Sequence, residues 1–366
     1  MAVAAELRAS GAEVSFLGTR ERIEAELVPA AGYEIEFVKA RGIDRGNPLR
    51  AARAVLEAIG AVGTARRALR RRSADAVLGG GGYVAGVAGL AAVLARTPLV
   101  LTEADSHLGL ANRVLAGRAR RVCLAFPIAG HEGGPYVLTG RPVPDAVLGT
   151  SRDDARRRFH VDSDARCLLV MGGSQGARSI NLAAIEAFAE RDGGNGGGRE
   201  FHVIHVTGRR DYEELKRRLA AAPHRDRYTL LSYEPDLGDV LAACDLVVAR
   251  SGGSIFEVTA VGRPAILVPY PHATADHQSA NAAWMAEAGA AEVIEDAALS
   301  AELLARRVGE LLADSSRLGG MATASAALAM PDAAKRIAAE VLAAAGADPA
   351  SGAPYVPVGS KRRTGT

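Results

Sequence analysis

Short β-branched and leucine-rich runs alternate with alanine-rich helical stretches along most of this chain. The candidate strands are Glu13–Leu17, Ala76–Leu78, Pro98–Thr102, Val122–Ala125, Cys167–Met171, His202–Thr207, Leu246–Ala249 and Ala265–Val268. The helical stretches between them include Asn47–Arg72, Ser179–Glu190, Asp211–Ala222 and Asp276–Ala288. Strands and helices that alternate at this spacing predict parallel βαβ units, and hence a doubly wound α/β architecture.

The alternation occurs twice, which predicts two Rossmann-like domains in a chain of 366 residues. The segment TGRPVPDAVLGTS, residues 139–151, interrupts the pattern with two prolines, so we place the seam there. The predicted domains are residues 1–145 and 146–345, with the final helix of the second as a candidate to pack back on the first. The glycine-rich segment 191–200 is predicted to be a surface loop, and residues 346–366, rich in Gly, Pro and Ser, a disordered tail.

The composition excludes several classes of protein. Basic and acidic residues nearly cancel, 44 against 42, which argues against a nucleic-acid partner. The three cysteines are widely separated and form no CxxC motif, so neither a zinc site nor a disulfide framework is expected. The longest apolar stretch, around Val87 to Leu101, is broken by Arg96 and Pro98. It falls short of the ~20 residues that span a bilayer, so the sequence does not predict an integral membrane protein.

Two strands of the predicted second domain end in glycine-rich turns that lead into helices. The first turn, within LLVMGGSQGARSIN, contains Gly172, Gly173, Ser174, Gln175 and Gly176. Such a turn lets the backbone approach a ligand, and N–H groups at the helix start attract phosphate, although an ordinary tight connection has the same pattern. In the second turn, RSGGSIFE, Glu257 falls on the first helical turn. Its carboxylate there can accept both hydroxyls of a ribose, or merely interact with the helix dipole.

Polar loops follow three other apolar strands. VPYPHATADHQSANA supplies Asp276, His277, Gln278 and Asn281, which are suited to hydrogen-bonding sugar hydroxyls. In the first half, VLGGGGYVAG places four glycines after a strand and is a second candidate anion site. Glu103 and Asp105 follow the next strand, where two carboxylates are candidate general bases or simply part of a polar loop.

An arginine cluster ends the helical stretch before the first glycine-rich segment. Its members are Arg66, Arg67, Arg70, Arg71 and Arg72, and the same stretch carries Val55, Leu56, Ile59, Val62 and Leu69. Cations at a helix C-terminus suit the helix dipole and are commonly solvated. A basic helix with apolar neighbours can also lie on anionic lipid headgroups, and both interpretations remain open.

Taken together, these segments resemble the MurG-type glycosyltransferases of bacterial peptidoglycan synthesis over roughly residues 1–342. The most specific strings are GGSQGAR and PHATADHQSANA, supported by GGGGYVAGVAGLAA and AACDLVVARSGG. The family transfers N-acetylglucosamine from UDP-N-acetylglucosamine (UDP-GlcNAc) to lipid I, which gives lipid II. The resemblance implies a GT-B fold, two Rossmann-like domains facing a cleft, with no cofactor and no metal. It also implies peripheral attachment to the cytoplasmic face of the bacterial cell membrane.

The resemblance also assigns residues position by position. Binding of UDP-GlcNAc falls to Asp105, Arg141, Gly173, Ser174, Gln175, Glu234, Ser251, Gly252, Gly253, Ser254, Glu257, Gln278 and Asn281. Within this set the diphosphate meets the turn around Ser174, the ribose meets Glu257, and the sugar meets Gln278 and Asn281. The backbone near Glu234 borders the uracil. The acceptor's pyrophosphate falls to Gly80, Gly81, Gly82 and Tyr83, and anionic phospholipids to the Arg66–Arg72 cluster.

The sequence departs from the family at four places, of which one is the Ser251–Glu257 loop, which is one residue short. The family opens with a strand and a GGTGGH-type loop, whereas Met1 aligns inside the helix that follows, so we expect the N-terminal domain to lack its first strand. The family's HEQN segment reads Thr102-Glu103-Ala104-Asp105, which replaces the donor-contacting asparagine with an acid. Its NPVR segment reads Arg141-Pro142-Val143-Pro144, in which Arg141 is the candidate substitute for the displaced arginine.

The leading hypothesis is an inverting sugar transfer in which UDP leaves into the helix N-terminus after Gly172–Gly176. Glu103 or Asp105 is the candidate general base. The alternatives are a non-catalytic protein that binds UDP-sugars or a lipid precursor, and a GT-B enzyme with a different acceptor. A nucleotide-sugar epimerase is a third alternative, and it would need no lipid.

Overall fold

A computed structural model describes residues 1–39, 48–173, 176–191, 201–273 and 276–347 of the chain. The predicted loop at 191–200 and the predicted tail at 346–366 lie outside the described residues, except for residue 191 and residues 346–347. The chain forms two compact units. Unit 1 consists of Met1–Pro142 and of the segment from Pro331 onward, and unit 2 is Val143–Met330. Unit 2 therefore ends before the predicted second domain does, because the last helix belongs to unit 1.

The secondary structure alternates as the sequence predicts. The strands are β1 (Ser15–Gly18), β2 (Glu34–Phe37), β3 (Val77–Gly79), β4 (Leu99–Glu103), β5 (Arg121–Leu124), β6 (Tyr136–Leu138), β7 (Arg166–Met171), β8 (Phe201–Val206), β9 (Tyr228–Leu231), β10 (Leu246–Ala249), β11 (Ala265–Leu267) and β12 (Ala291–Val293). The helices are α1 (Ala2–Ala9), α2 (Glu24–Ala30), α3 (Pro48–Arg71), α4 (Gly82–Ala95), α5 (Leu110–Leu115), α6 (Asp145–Leu148), α7 (Arg152–Arg158), α8 (Arg178–Ile185), α9 (Tyr212–Ala221), α10 (Leu237–Ala243), α11 (Ile255–Ala260), α12 (His277–Glu287), α13 (Ala301–Ala313), α14 (Ser315–Ala327) and α15 (Ala333–Ala344).

Unit 2 is a doubly wound Rossmann-like domain. Its six strands are all parallel and lie in the order β12-β11-β10-β7-β8-β9. The chain runs outward from β7 in one direction and then outward from β10 in the other. The switch point is thus between β7 and β10, and ligands of open α/β sheets bind beside the carboxyl ends of the strands at such a point.

Unit 1 contains two parallel sheets, one of β1 and β2 and one in the order β3-β4-β5-β6. Among the residues that the structure describes, β1 pairs only with β2 and β3 only with β4, so one edge of each strand has no partner strand. Helices connect the two sheets, because α4 contacts β1, β3 and β4, while α15 packs against α1, β4 and β5.

Burial of apolar side chains explains why these strands form. Leu168, Val170, Val248 and Ile266, from the three central strands of unit 2, are completely buried under α8 and α13. Strands covered on both faces read as continuous apolar runs, which is how they are recognisable in the sequence. No described helix has both the length and the apolar character needed to cross a membrane.

Candidate nucleotide-sugar site

The turn between β7 and α8 needs glycine at two positions. A Cβ atom on Gly172 would lie 2.1 Å from the backbone nitrogen of Ala177. Gly176 has φ +74°, and a Cβ there would lie 2.4 Å from the backbone oxygen of Thr207. The turn can therefore fold back on the start of α8 and pack against the end of β8 only without side chains at these positions.

The first turn of α8 carries no acidic residue, so no carboxylate of the helix start itself offsets the partial positive charge of its N–H groups. Gly173 lies in the turn with φ +78° and has open space around it. This arrangement suits an anionic ligand. Ser174 and Gln175, the predicted diphosphate contacts, lie outside the described residues.

The turn after β10 is tied to the start of α12 by two hydrogen bonds. The hydroxyl of Ser251 donates to the backbone oxygen of Gln278 (2.7 Å), and Asn281 Nδ2 donates to the backbone oxygen of Ser251 (2.9 Å). Ser251 is completely buried and Asn281 is 2% exposed. Both were predicted to bind the donor. Their burial and mutual contact show that they tie this turn to α12, and their contact with the donor stays a prediction.

The more open predicted residues collect at the same edge of the unit 2 sheet. Gly252, Gly253, Ser254 and Glu257 follow β10 and are partly exposed, with Glu257 in the first turn of α11. Gln278 is also partly exposed, and its Oε1 accepts a hydrogen bond from the backbone N–H of Tyr270 (3.0 Å). These groups and the glycine turn flank the switch point, so they can contact one ligand from adjacent strand ends.

Glu234 lies farther out, after the edge strand β9. Its carboxylate is bound by protein groups, since Oε2 is 2.8 Å from Arg158 Nη2 and Oε1 accepts from the backbone N–H of Asp236 (2.9 Å). Protein groups therefore bind the Glu234 side chain, and any contact with the uracil is left to the neighbouring backbone, as the resemblance implies.

In unit 1, Glu103 is buried at the end of β4 and organises the loop that follows. Its Oε2 accepts hydrogen bonds from the backbone N–H of Gly109 (2.7 Å) and from Asn112 Nδ2 (2.9 Å). Its Oε1 accepts from the backbone N–H of Asp105 (3.3 Å). A carboxylate with both oxygens engaged by three N–H donors does not suit the role of general base predicted for it. Asp105 is only partly buried and is the more open of the two candidates.

The other predicted residues of unit 1 lie at the same edge of the sheet. Gly81 and Gly82 have φ +82° and +72° and open space around them, and they lead into α4. Gly80 is next to the end of β4, because a Cβ there would lie 3.9 Å from Thr102 Oγ1. Tyr83 is 53% exposed, and Arg141 follows β6 and is partly exposed.

The arginine cluster at the end of α3 is only partly free. Arg71 forms an ion pair with Glu36, while Arg72 contacts Glu34 and lies 3.2 Å from Glu36. The hydrogen bonds that Arg72 donates to Glu34 and Glu36 raise the pKa of its guanidinium. Arg67 and Arg70 are exposed. Two of the five cations are thus paired with acids from β2, a contact that the sequence pattern did not reveal.

Two family models match the chain. The glycosyltransferase family 28 N-terminal domain matches residues 1–124, and the family 28 C-terminal domain matches residues 167–337. The chain belongs to glycosyltransferase family 28. Its family 28 membership agrees with the GT-B fold, in which each of two Rossmann-like domains is built on parallel strands. Among the described residues, no group of three or more His, Cys, Asp or Glu side chains is arranged to hold a metal ion.

Two similar relatives carry the name UDP-N-acetylglucosamine--N-acetylmuramyl-(pentapeptide) pyrophosphoryl-undecaprenol N-acetylglucosamine transferase. The protein of Rubrobacter xylanophilus is 40% identical over 346 residues, which is 93% of this chain and 98% of the relative. That of Moorella thermoacetica is 38% identical over 335 residues, 89% of each chain. The crystal structure of Acinetobacter baumannii MurG matches with a TM-score of 0.75 and 28% identity, covering 93% of this chain and 94% of that one. This family 28 chain is therefore a MurG-type glycosyltransferase.

Three residues of this family 28 site were given no role from the sequence. Arg250 directly follows β10, and its guanidinium contacts Ser179 at the start of α8 and Asp296 beyond β12. The only signal was an arginine placed directly between an apolar strand and a glycine turn. Nothing in the sequence connects it with Ser179, which is 71 residues away.

A buried histidine lies behind the glycine turn. His205 on β8 is completely buried, with Nε2 3.0 Å from Asn181 Oδ1 and Nδ1 2.7 Å from the Tyr228 hydroxyl. Asn181 Nδ2 in turn donates to the Thr207 oxygen (2.8 Å) and to Asp211 (2.9 Å). Burial lowers the pKa of His205 to about 3. The neutral imidazole thus anchors α8 from inside the sheet.

Because the folded state keeps His205 neutral, we expect acid to destabilise unit 2. The stabilisation is complete above the unfolded pKa of about 6.5 and is lost as the pH falls toward 3, with a slope of at most ~1.4 kcal/mol per pH unit. His205→Gln should flatten this slope in urea unfolding followed by circular dichroism. His272→Gln, at an exposed position, is the control and should keep it. An unchanged slope in His205→Gln would show that other groups cause the acid sensitivity.

Proposed function

We propose that this chain transfers N-acetylglucosamine from UDP-GlcNAc to lipid I, forming lipid II, with inversion at the anomeric carbon. The observation that carries the proposal is the glycine turn of unit 2, which is placed beside the switch point and leads into a helix start free of acidic residues. The shared name of the relatives supports the donor and the acceptor.

The donor's diphosphate is assigned to the turn at Gly172–Gly176 and the first N–H groups of α8. As the bond to the anomeric carbon breaks, negative charge accumulates on the leaving diphosphate. Fixed N–H dipoles directed at that charge stabilise the transition state more than the ground state. Glu257 is assigned to the ribose, Gln278 to the sugar, and the exposed backbone of Gly252–Ser254 to the nucleotide.

The acceptor is assigned to the carboxyl edge of the unit 1 sheet. Gly81 and Gly82, with positive φ angles and no side chains, leave backbone N–H groups accessible to a pyrophosphate. Asp105 is the proposed base that takes the proton of the acceptor hydroxyl, and Glu103 holds the loop on which Asp105 lies. Arg141 is the proposed substitute for the family's displaced arginine.

We expect Asp105→Asn to lower kcat by roughly 10²–10⁴, because an amide cannot take the proton of the acceptor hydroxyl. KM for UDP-GlcNAc should not rise, since the asparagine matches the family's HEQN segment and can still form a hydrogen bond with the donor. Glu103→Gln should mainly lower thermal stability, by about 1–3 kcal/mol, because the amide oxygen can replace only one carboxylate oxygen: if it accepts from Gly109 and Asn112, the amide nitrogen cannot accept from the N–H of Asp105. Transfer rates against pH, together with melting curves, separate the two effects. If Asp105→Asn is as active as the unmutated chain, Asp105 is not the base.

The direct test is transfer of labelled N-acetylglucosamine to a lipid I analogue by the purified chain, with product and UDP both measured. Formation of both in equal amounts is expected. Binding of UDP-GlcNAc in calorimetry without turnover would instead support a non-catalytic binding protein. A changed sugar nucleotide in the absence of any acceptor would support an epimerase.

We further propose that unit 1 attaches to anionic phospholipids at the cytoplasmic face of the bacterial membrane. Exposed apolar side chains recur on one face of α4 (Tyr83, Leu90, Leu94), and α5 adds Leu110 and Val114. Helices α3 and α5 both pack against α4, and Arg67 and Arg70 are exposed on α3, so unit 1 presents exposed cations as well as exposed apolar side chains. Apolar area with nearby cations is what interfacial binding requires.

The double variant Arg67→Glu/Arg70→Glu should bind vesicles containing phosphatidylglycerol roughly 10- to 30-fold more weakly, at about 1 kcal/mol for each lost cation. Binding is measured by co-sedimentation at low and high salt. The control is Arg157→Glu/Arg225→Glu, at exposed positions in unit 2, and it should bind as the unmutated chain does. Equal losses in both double variants would mean that only net charge matters.

A further inference from the structure

Arg250 connects four segments of unit 2 through one buried guanidinium. The side chain is 11% exposed and extends from the end of β10. Nη2 donates to the hydroxyl of Ser179 in the first turn of α8 (2.8 Å). Nη1 donates to the backbone oxygens of Val268 (3.1 Å) and Pro269 (3.0 Å), where β11 ends.

Asp296 completes this arrangement, which we call the Arg250 cluster: Arg250, Ser179, Asp296 and the carbonyls of Val268 and Pro269. Asp296 Oδ1 is 2.6 Å from Arg250 Nη1 and also accepts a hydrogen bond from the Ser179 hydroxyl (2.7 Å). Ser179 thus donates to the acid and accepts from the arginine. The cation is charge-paired as well as hydrogen-bonded, as a buried cation must be.

The cluster reaches the three turns to which the donor is assigned. Ser179 is two residues beyond the N-cap of α8, Arg250 begins the Ser251–Ser254 turn, and Pro269 leads to Tyr270, whose N–H holds Gln278. A planar guanidinium fixes its acceptors at set angles in one plane. It therefore fixes the positions of these three turns relative to one another.

We propose that Arg250 is a positioning residue that holds the diphosphate, nucleotide and sugar turns of unit 2 in the geometry needed to bind UDP-GlcNAc. This rests on the proposed function. The four protein acceptors around Arg250 engage both of its terminal nitrogens, so its proposed role is to act through the turns and not by direct contact with the donor. Lysine cannot replace it, because a single ammonium group cannot reach Ser179, Asp296 and two carbonyls in fixed directions.

The test compares Arg250→Lys and Ser179→Ala with Arg263→Lys. Arg263 is a matched control, since its guanidinium also donates to two backbone carbonyls, those of Leu241 (2.8 Å) and Ala242 (3.1 Å). Arg263 precedes β11, however, and so lies at the opposite edge of the sheet from the candidate site. Affinity for UDP-GlcNAc and for UDP is measured by calorimetry, KM and kcat by transfer assay, and folding by melting temperature.

We expect Arg250→Lys to weaken UDP-GlcNAc binding roughly 10- to 100-fold and to raise its KM, with KM for the acceptor unchanged. Ser179→Ala should weaken binding of UDP as well. The double variant Arg250→Lys/Ser179→Ala should lose less binding free energy for UDP-GlcNAc than the two single variants lose together, because both residues act through one cluster. Arg263→Lys should lower the melting temperature and leave both affinities unchanged.

The proposal would be overturned if Arg250→Lys bound UDP-GlcNAc as tightly as the unmutated chain and only its melting temperature were lower. It would also be overturned if the losses of binding free energy in the two single variants were strictly additive in the double variant. A drop in kcat with donor affinity unchanged would also overturn it. If the unmutated chain fails to bind UDP-GlcNAc at all, the proposed function and this inference both fail, which is a distinct result.

Discussion

Gly172→Ala is expected to reduce affinity for UDP-GlcNAc by more than roughly 100-fold. The added methyl group would lie 2.1 Å from the Ala177 nitrogen and 2.5 Å from the Gly176 carbonyl carbon, so the backbone of the turn must move. The required displacement exceeds about 1 Å, and a misplacement of that size at a binding turn is sufficient for such a loss. Calorimetry with UDP-GlcNAc measures the change directly.

Gly320→Ala is the matched control, because Gly320 lies inside α14 of the same unit and has open space around its Cβ position. It should leave the affinity unchanged and stabilise the unit by about 0.5–1 kcal/mol, since alanine is the better helix former. A Gly172→Ala chain that is folded and binds UDP-GlcNAc within about twofold of the unmutated chain would show that the turn is not the diphosphate site, given that twofold is only about 0.4 kcal/mol.

Asp245→Ala is expected to destabilise unit 2 by roughly 3–5 kcal/mol. The carboxylate of Asp245 precedes β10 and is mostly buried, where it lies 2.7 Å from Arg152 Nη2 and 3.0 Å from Arg156 Nη2. It also accepts a hydrogen bond from the backbone N–H of Cys167 (2.8 Å). Its removal leaves the buried Arg156 without a counter-charge and a β7 amide without its partner. Urea unfolding followed by circular dichroism measures the loss.

Asp226→Ala provides the comparison, since Asp226 is 95% exposed and its contact with Arg225 is at 3.8 Å. That substitution should change the unfolding free energy by less than about 0.5 kcal/mol. If Asp245→Ala were equally mild, the arginines around it would have to be satisfied by backbone carbonyls alone, contrary to our expectation.

The central strands of unit 2 were predictable because both of their faces are covered. Leu246–Ala249 was predicted with its observed bounds, and Cys167–Met171 missed β7 by one residue. Four strands were not predicted: β2, β6, β9 and β12. Each lies at the edge of its sheet, where one side is unpaired and side chains are partly exposed, so short segments such as EIEF or AEV show no apolar run.

The candidate site was predictable where it depends on backbone geometry, and was not where it depends on long-range side-chain contacts. The glycines at 172 and 176 indicate a tight strand-to-helix turn from local sequence alone. That Asn281 turns inward to Ser251, or that Arg250 reaches Ser179 and Asp296, depends on which loops the sheet brings together. A resemblance carries over residue types and not their orientation, so it did not predict these contacts either.

The discontinuity of unit 1 sets the order in which the chain can reach its native state during synthesis. Unit 2 is one continuous segment, Val143–Met330, so all its strands have been synthesised before α15 is made. Unit 1 remains incomplete until then, because Ile337 and Val341 of α15 pack with Leu7 of α1 and Val100 of β4. Domains generally fold as units during synthesis. Unit 1, whose larger segment is translated first, is therefore the last of the two units to complete its fold.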